Sequence, residues 1–136
     1  MFQIRKIEVN DYYRGYFNLL SQLTDAPKIE LSLFKKLIKD TNTFVIEDKN
    51  KIIASITVLI ERKLIHGGRG VAHIEDVVVD KKYRGKGIGK ILLEKAHNEA
   101  EKNYCYKIIL NCKNELIPFY EKNGFKLKGC QMNCYL

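Results

Sequence analysis

The chain has 136 residues, 46% of them apolar and 29% charged, with 24 Lys and Arg against 16 Asp and Glu for a formal net charge of +8. That balance excludes a disordered chain, and the length suits one domain, 1–136, that buries about two thirds of the surface its unfolded state exposes. The longest apolar run, residues 52–60, is far short of the roughly 20 residues that cross a membrane. Residues 1–5 open no signal-like segment, so a cytoplasmic protein with no membrane span is expected.

In chain order, Phe2, Ile4, Ile7 and Val9 pattern as an opening strand. Asn10 or Asp11 can then N-cap a helix whose apolar positions are Tyr13, Tyr16, Phe17, Leu20 and Leu23. Residues 24–27 end it at a proline, and a second helix over 30–39 has Leu33, Phe34, Leu37 and Ile38 on one face. Residues 43–47 and 51–61 read as strands around an Asp48-Lys49-Asn50 turn. The loop 62–70, which holds Lys63, His66, Gly67 and Gly68, is expected to be mobile or close to a ligand.

A β-branched strand over 71–79 then carries Glu75 and Asp76 in its middle. It breaks into Arg84-Gly85-Lys86-Gly87-Ile88-Gly89 before a helix over 88–103 that faces the sheet with Ile91, Leu92, Ala96 and Ala100. A short strand over 106–110 follows, then a helix over 115–122 capped by Asn114 and stopped at Asn123-Gly124. Residues 125–135 pattern as a final strand or two. The order β-α-α-β-β-β-α-β-α-β predicts an α/β fold, a mixed sheet with helices on both faces.

Strand, glycine turn and helix together make an anion site. Gly85, Gly87 and Gly89 remove the Cβ atoms that would hold a phosphate away, and the helix start presents unpaired N–H groups and a positive dipole end. Arg84, Lys86 and Lys90 add charge. The spacing is wrong for a P-loop, because three residues separate Gly85 from Gly89 and Ile91 follows Lys90. The dinucleotide fingerprint fits poorly, since the turn is G-x-G-x-G and the next strand ends in Asn111-Cys112. The positive charge suits an anionic partner. Its lysines are spread without an Arg-rich stripe or aromatic platform, so no nucleic acid is expected. Cys105, Cys112, Cys130 and Cys134 include no C-x-x-C pair and have no nearby His, so no metal is expected. These cysteines read as small buried hydrophobes of a reducing compartment, with Cys130 and Cys134 on one face of a strand.

The segment Arg84-x-x-Gly87-x-Gly89 resembles the R/Q-x-x-G-x-G/A signature of the GNAT N-acetyltransferases, whose turn holds the pyrophosphate of acetyl-CoA. Further segments narrow the resemblance to the glucosamine 6-phosphate N-acetyltransferases. They are residues 60–66, the His73-Ile74-Glu75-Asp76 stretch with Val77, Val78 and Val79, then 83–86, 105–110 and Phe119-Tyr120-Glu121-Lys122-Asn123-Gly124-Phe125. Leu23-Thr24 adds a weaker match. The resemblance implies the GNAT (acyl-CoA N-acyltransferase) fold and acetyl transfer from acetyl-CoA to the 2-amino group of glucosamine 6-phosphate, on the way to UDP-N-acetylglucosamine. It also implies direct attack in a ternary complex and a homodimer.

The same resemblance implies that coenzyme contacts fall on Val77, Val78, Val79, the turn from Arg84 to Lys90 (Gly85, Lys86, Gly87, Ile88 and Gly89 between them) and Tyr120. Strand 71–79 splays from strand 106–111 to admit the pantetheine arm. Sugar contacts map to Thr24, Lys63, Leu64, Ile65, His66, Glu75, Asp76 and Asn111, with Tyr106 and Lys107 supplied across a dimer interface. Asn111 stands where the family has an acid, and the tail 132–136 lacks the family's phosphate-binding Arg. An alternative is therefore a GNAT enzyme for another amine.

The chemistry asks for similar parts. An ammonium must lose a proton before it attacks a thioester, and Glu75 and Asp76, set among apolar residues, are the carboxylates to take it. Neighbours on a regular strand face opposite ways, so either a bulge at 75–77 lets both contribute or one acts through its backbone. Amides freed by a bulge could stabilise the oxyanion. Tyr120 is placed to protonate the departing thiolate, or else is a core aromatic at a helix-sheet contact.

Overall fold

The computed structural model describes residues 1–136 and contains five strands in the spatial order β1-β2-β3-β4-β5. These are β1 (Ile4–Lys6), β2 (Thr43–Asp48), β3 (Lys51–Glu61), β4 (Gly70–Val79) and β5 (Cys105–Ile109). The first four pair antiparallel and β5 joins β4 in parallel, which makes the sheet mixed. The β2–β3 connection is the tight turn its composition suggests, with Lys49 and Asn50 both left-handed at φ 51° and 61°.

Strand periodicity sorts the side chains into two cores. On one face Phe44, Ile46, Ile56, Val58, Ala72 and Ile74 pack with α3 (Ile88–Lys102) through Ile88, Leu92, Leu93, Ala96 and Ala100. Each fully buried Leu or Ile there is worth about 1.5–3 kcal/mol. The other face sets Val45, Ile52 and Val78 against α1 (Tyr16–Leu20) and α2 (Leu31–Leu37). Helices lie on both faces, as the element order implies.

Four expectations are corrected. The first helix is broken: residues Val9–Tyr13 form a 3-10 turn, and Gly15, left-handed at φ 72°, restarts the chain as α1. Asp11 is no cap for α1. It is fully buried and accepts from Arg5 (2.8 and 2.9 Å), Arg14 (2.9 Å) and the Glu8 N–H (2.9 Å), so the chain wraps around it. On α2, Phe34 turns inward but Leu33 and Leu37 remain 43% and 41% exposed. Asn114 caps nothing, because α4 (Ile117–Lys122) starts from a 3-10 turn with Pro118 in its first turn, whose fixed φ suits a helix start.

The fourth correction is the largest. Residues 125–135 form no strand, and Leu127, Met132 and Tyr135 are exposed, since nothing in one chain covers the apolar face of that segment. Cys112, Cys130 and Cys134 are exposed as well, so only Cys105 is partly buried. The stop of α4 holds: Gly124 is left-handed at φ 92°, and the Phe125 N–H reaches the Tyr120 carbonyl at 3.1 Å.

Candidate active site

The site begins with a defect in β4. Ser55 of β3 pairs with Val78 and Thr57 with Glu75, so Asp76 and Val77 together face Ile56 alone. This is a β-bulge, and Asp76 takes the left-handed conformation at φ 51°, a region Asp enters more readily than most residues. The bulge inverts the strand. Ile74 packs in the α3 core and Val78 in the α1 core, although an even number of steps on a regular strand would put them on one face. Glu75 precedes the inversion and by alternation with Ile74 faces the α1 side; Asp76 sits at the inversion, where its charge acts on Tyr16 of α1, while Val77 packs toward α3. Of the two arrangements the sequence allows, the chain has the bulge.

The second feature is a gap. Residues 70–73 of β4 pair with β5, and beyond His73 no pair remains between them. The Asp80 N–H donates to the Ile53 carbonyl at 2.8 Å, which by alternation turns the backbone groups of Val78 toward β3 and those of Val77 and Val79 into the gap. Arg84 Nε reaches the Val79 carbonyl from that side at 3.2 Å. Val78 is a correction: its amide is turned into the sheet and its side chain is buried under α1.

At the top of the gap the glycine turn meets α3. Gly85 and Gly87 are left-handed at φ 78° and 79°, with open space where a Cβ would stand. The N–H groups from Arg84 to Lys90 have no backbone partner; the Ile91 N–H is the first to bond back, to Gly87 at 3.3 Å. Gly89 has another reason to be glycine. A Cβ there would stand 2.9 Å from Phe119 Cζ, so the missing side chain admits α4 against α3. Ile88 is buried and anchors the helix, whereas Arg84, Lys86 and Lys90 are exposed around the turn. Asp80, which sequence reasoning missed, accepts the Lys82 N–H at 3.0 Å, and Tyr83 Oη donates to Asp48 at 2.5 Å, so the turn is braced from below. An Asp ahead of a turn is the signal that could have found it.

Tyr120 is 7% exposed and packed edge-on against Phe119 and Phe125 at 5.0 and 5.8 Å between ring centroids. Burial, with the nearby Cys112 adding to it, pushes its phenol up, which keeps a proton on the oxygen.

The remaining candidates divide by place. Thr24 is exposed two residues past Gln22, which accepts the Lys81 N–H at 3.0 Å, and so stands at the acid-bearing end of β4. Asn111 is exposed just beyond β5, across the gap from the acids. Lys63, Leu64, Ile65 and His66 lie at the opposite end, with Leu64 and Ile65 exposed. His66 stacks on Tyr106 at 4.0 Å, and Lys107 Nζ is 5.7 Å from the same ring. Lys63 pairs with Glu61 at 3.5 Å, and a His73 hydrogen bond holds the Glu61 carboxyl below its usual range, with Lys63 adding to it. Lys107 pairs with Val71, which lies roughly 16 Å along the strand from Asp76 at about 3.3 Å per residue. One chain therefore does not bring its basic group to its own acids.

Residues 39–127 match the acetyltransferase (GNAT) domain family. A probable glucosamine 6-phosphate N-acetyltransferase of Oryza sativa is 38% identical over 98% of this chain and 87% of its own length. Among solved structures, glucosamine-6-phosphate N-acetyltransferase from Arabidopsis thaliana superposes with a TM-score of 0.94 at 38% identity, covering 99% of this chain and 98% of that one. An acetyltransferase of Trypanosoma brucei gives 0.91 at 35% identity over the whole of both chains. Bulged acids, an open strand pair and a turn of free amides are thus found in a chain that belongs to the GNAT acetyltransferase family, in the company of its glucosamine 6-phosphate N-acetyltransferases.

Proposed function

We propose that this protein transfers the acetyl group of acetyl-CoA to the 2-amino group of glucosamine 6-phosphate, giving N-acetylglucosamine 6-phosphate and CoA by direct attack in a ternary complex. The observation that carries the reading is the bulge at Asp76, which sets two adjacent acids beside the gap into which the backbone of Val77 and Val79 opens. The relatives at 38% identity supply the acceptor.

In this proposal residues 1–136 act as one N-acetyltransferase unit. The free amides of 84–90, with Arg84, Lys86 and Lys90, hold the diphosphate of acetyl-CoA, which supplies the thioester. Glu75 and Asp76 take the proton from the ammonium as the new N–C bond forms. Tyr120 gives its proton to sulfur as the C–S bond breaks. A backbone N–H at the bulge faces the carbonyl oxygen as charge gathers there. Thr24 and Asn111 contact the sugar from the acid-bearing end. The compartment is cytoplasmic, in keeping with four unpaired cysteines.

The protein acts as a homodimer, and the separation of acids from bases supports this. A second copy that set its Lys63, His66, Tyr106 and Lys107 beside these acids would complete a phosphate pocket. The edge of β5, beside Tyr106 and Lys107, and the uncovered tail offer surfaces to such a partner. Beside that edge runs a groove of about 450 Å³ lined by Tyr106, Ile108, Ala100 and Phe125, well away from the acids.

Thiol release from acetyl-CoA in the presence of glucosamine 6-phosphate tests the reading; none above background, with CoA still bound, defeats it. A second reading, acetylation of another amine, is favoured by Asn111, which takes no proton, and by a tail without Arg at 132–136. A panel of amines in the same assay separates the two.

A further inference from the structure

Two parts of the site come from distant stretches of chain. The acceptor side includes the loop 21–30 that carries Thr24, and the coenzyme side includes the turn that starts at Lys81. One polar side chain joins them: Gln22 Oε1 accepts the Lys81 N–H at 3.0 Å across 59 positions of sequence. Asp80, next to that amide, is buried and pinned by the Lys82 N–H at 3.0 Å and by its own N–H on Ile53 at 2.8 Å. The coenzyme end of the link is therefore stiff.

The acceptor end is not. Residues 21–30 have no regular secondary structure beyond the close of α1. They are tied at their far end by Tyr12 Oη on the Ile29 carbonyl at 2.5 Å. Between these ties, residues 23–27 are held by turns back to Leu20 and a long bond from Ser21 Oγ to the Ala26 carbonyl at 3.4 Å. An exposed glutamine that fixes one end of a lightly held loop to a braced turn gives the two sites a physical connection.

We propose that Gln22 is a positioning residue that couples the sites: order imposed on the 80–90 turn by coenzyme passes through the Gln22–Lys81 hydrogen bond to the loop 21–30 and sets Thr24 for the acceptor. This rests on the acceptor side assigned under the proposed function. By linkage the coupling is reciprocal, so the acceptor tightens coenzyme binding by the same factor.

The test replaces Gln22 with Met, of similar size and without the amide. Hydrogen exchange of the parent with and without CoA should show amides of 21–28 slowed by CoA several-fold, together with those of 84–90. In Gln22→Met the protection of 84–90 should persist and that of 21–28 should be lost. Steady-state kinetics should show the KM for glucosamine 6-phosphate raised about fivefold, the low end of coupling between two sites, with acetyl-CoA affinity in the absence of acceptor unchanged.

Equal protection of 21–28 in parent and variant overturns the proposal. So does a loss of 84–90 protection along with it, which would mark Gln22 as a structural support of the turn. A parent that binds CoA but does not acetylate glucosamine 6-phosphate sinks the functional reading alone, because the exchange experiment uses no acceptor and still decides the coupling.

Discussion

β4 is one strand with two halves that behave differently. Residues 71–73 pair with a strand on each side, and Val71 and Ala72 are buried. From Glu75 onward the strand keeps only β3 as a partner, bulges at Asp76 and leaves Val77 and Val79 with backbone groups facing a gap. The first half satisfies its hydrogen bonds within the sheet and so has none to offer a ligand. The second half holds its place through β3 and α1, and its remaining donors and acceptors are available to bind. A catalytic strand needs both conditions in sequence: a fixed half to locate the open one.

The sharpest way to break this contrast is to remove the charge from the open half. Glu75→Gln with Asp76→Asn should lower turnover by about 10²–10⁴-fold, the usual contribution of general base catalysis, while acetyl-CoA binding measured by calorimetry stays near that of the parent. Turnover close to wild type would disqualify the acids.

A charge removed from the scaffold should act in the opposite sense. Asp11→Asn takes the buried carboxylate away from Arg5 and Arg14, which keep Glu47 and Glu8 as partners, and should cost about 1.5–3 kcal/mol in denaturant unfolding, the usual range for hydrogen bonds to a charged group, with kcat of the folded fraction intact. Burial pushes the Asp11 carboxyl up, but hydrogen bonds from Arg5, the Glu8 N–H and Arg14 outweigh it and hold it below its ordinary 3.8. The stability it lends is therefore present above that pH and fades as pH falls below it, so the variant should lose less on acidification than the parent does.

In the paired half, Ala72→Val adds volume to a closed core and should cost about 1–3 kcal/mol, again with kcat unchanged. A fall in kcat at constant folded fraction would blur the division of the strand. The smallest effect is expected from Tyr120→Phe, a drop of about tenfold in turnover, below the usual range for acid-base groups because water can also protonate a thiolate. Its raised phenol makes the parent's stability from this group complete below its ordinary 10 and lost as pH climbs beyond it, so Tyr120→Phe should flatten the alkaline end of a melting profile.

Much of this was legible in the sequence. The glycine turn, the helix after it and the pair of acids carry local signals, since Gly, Asp and the helical period constrain the backbone within a few residues. The bulge was legible as one of two ways to reconcile adjacent acids with strand alternation. What could not be read depended on distant partners. Asp11 looked like a cap until Arg5 and Arg14 closed on it. Gly89 looked glycine for the sake of a phosphate alone, and nothing near it in sequence showed that Phe119 would stand where its side chain is missing. Gln22 has no signal in its neighbours because its partner, Lys81, is 59 positions away. The tail pattern at 125–135 is that of a strand, but a strand needs a surface to cover it, and one chain supplies none.

The contact between Gly89 and Phe119 has a mechanical consequence. Because the Phe119 ring sits where α3 lacks a side chain, a larger residue at 89 would push α4 away from the start of α3. Tyr120 is the next residue along, so the same missing side chain that seats the ring also fixes where that phenol stands.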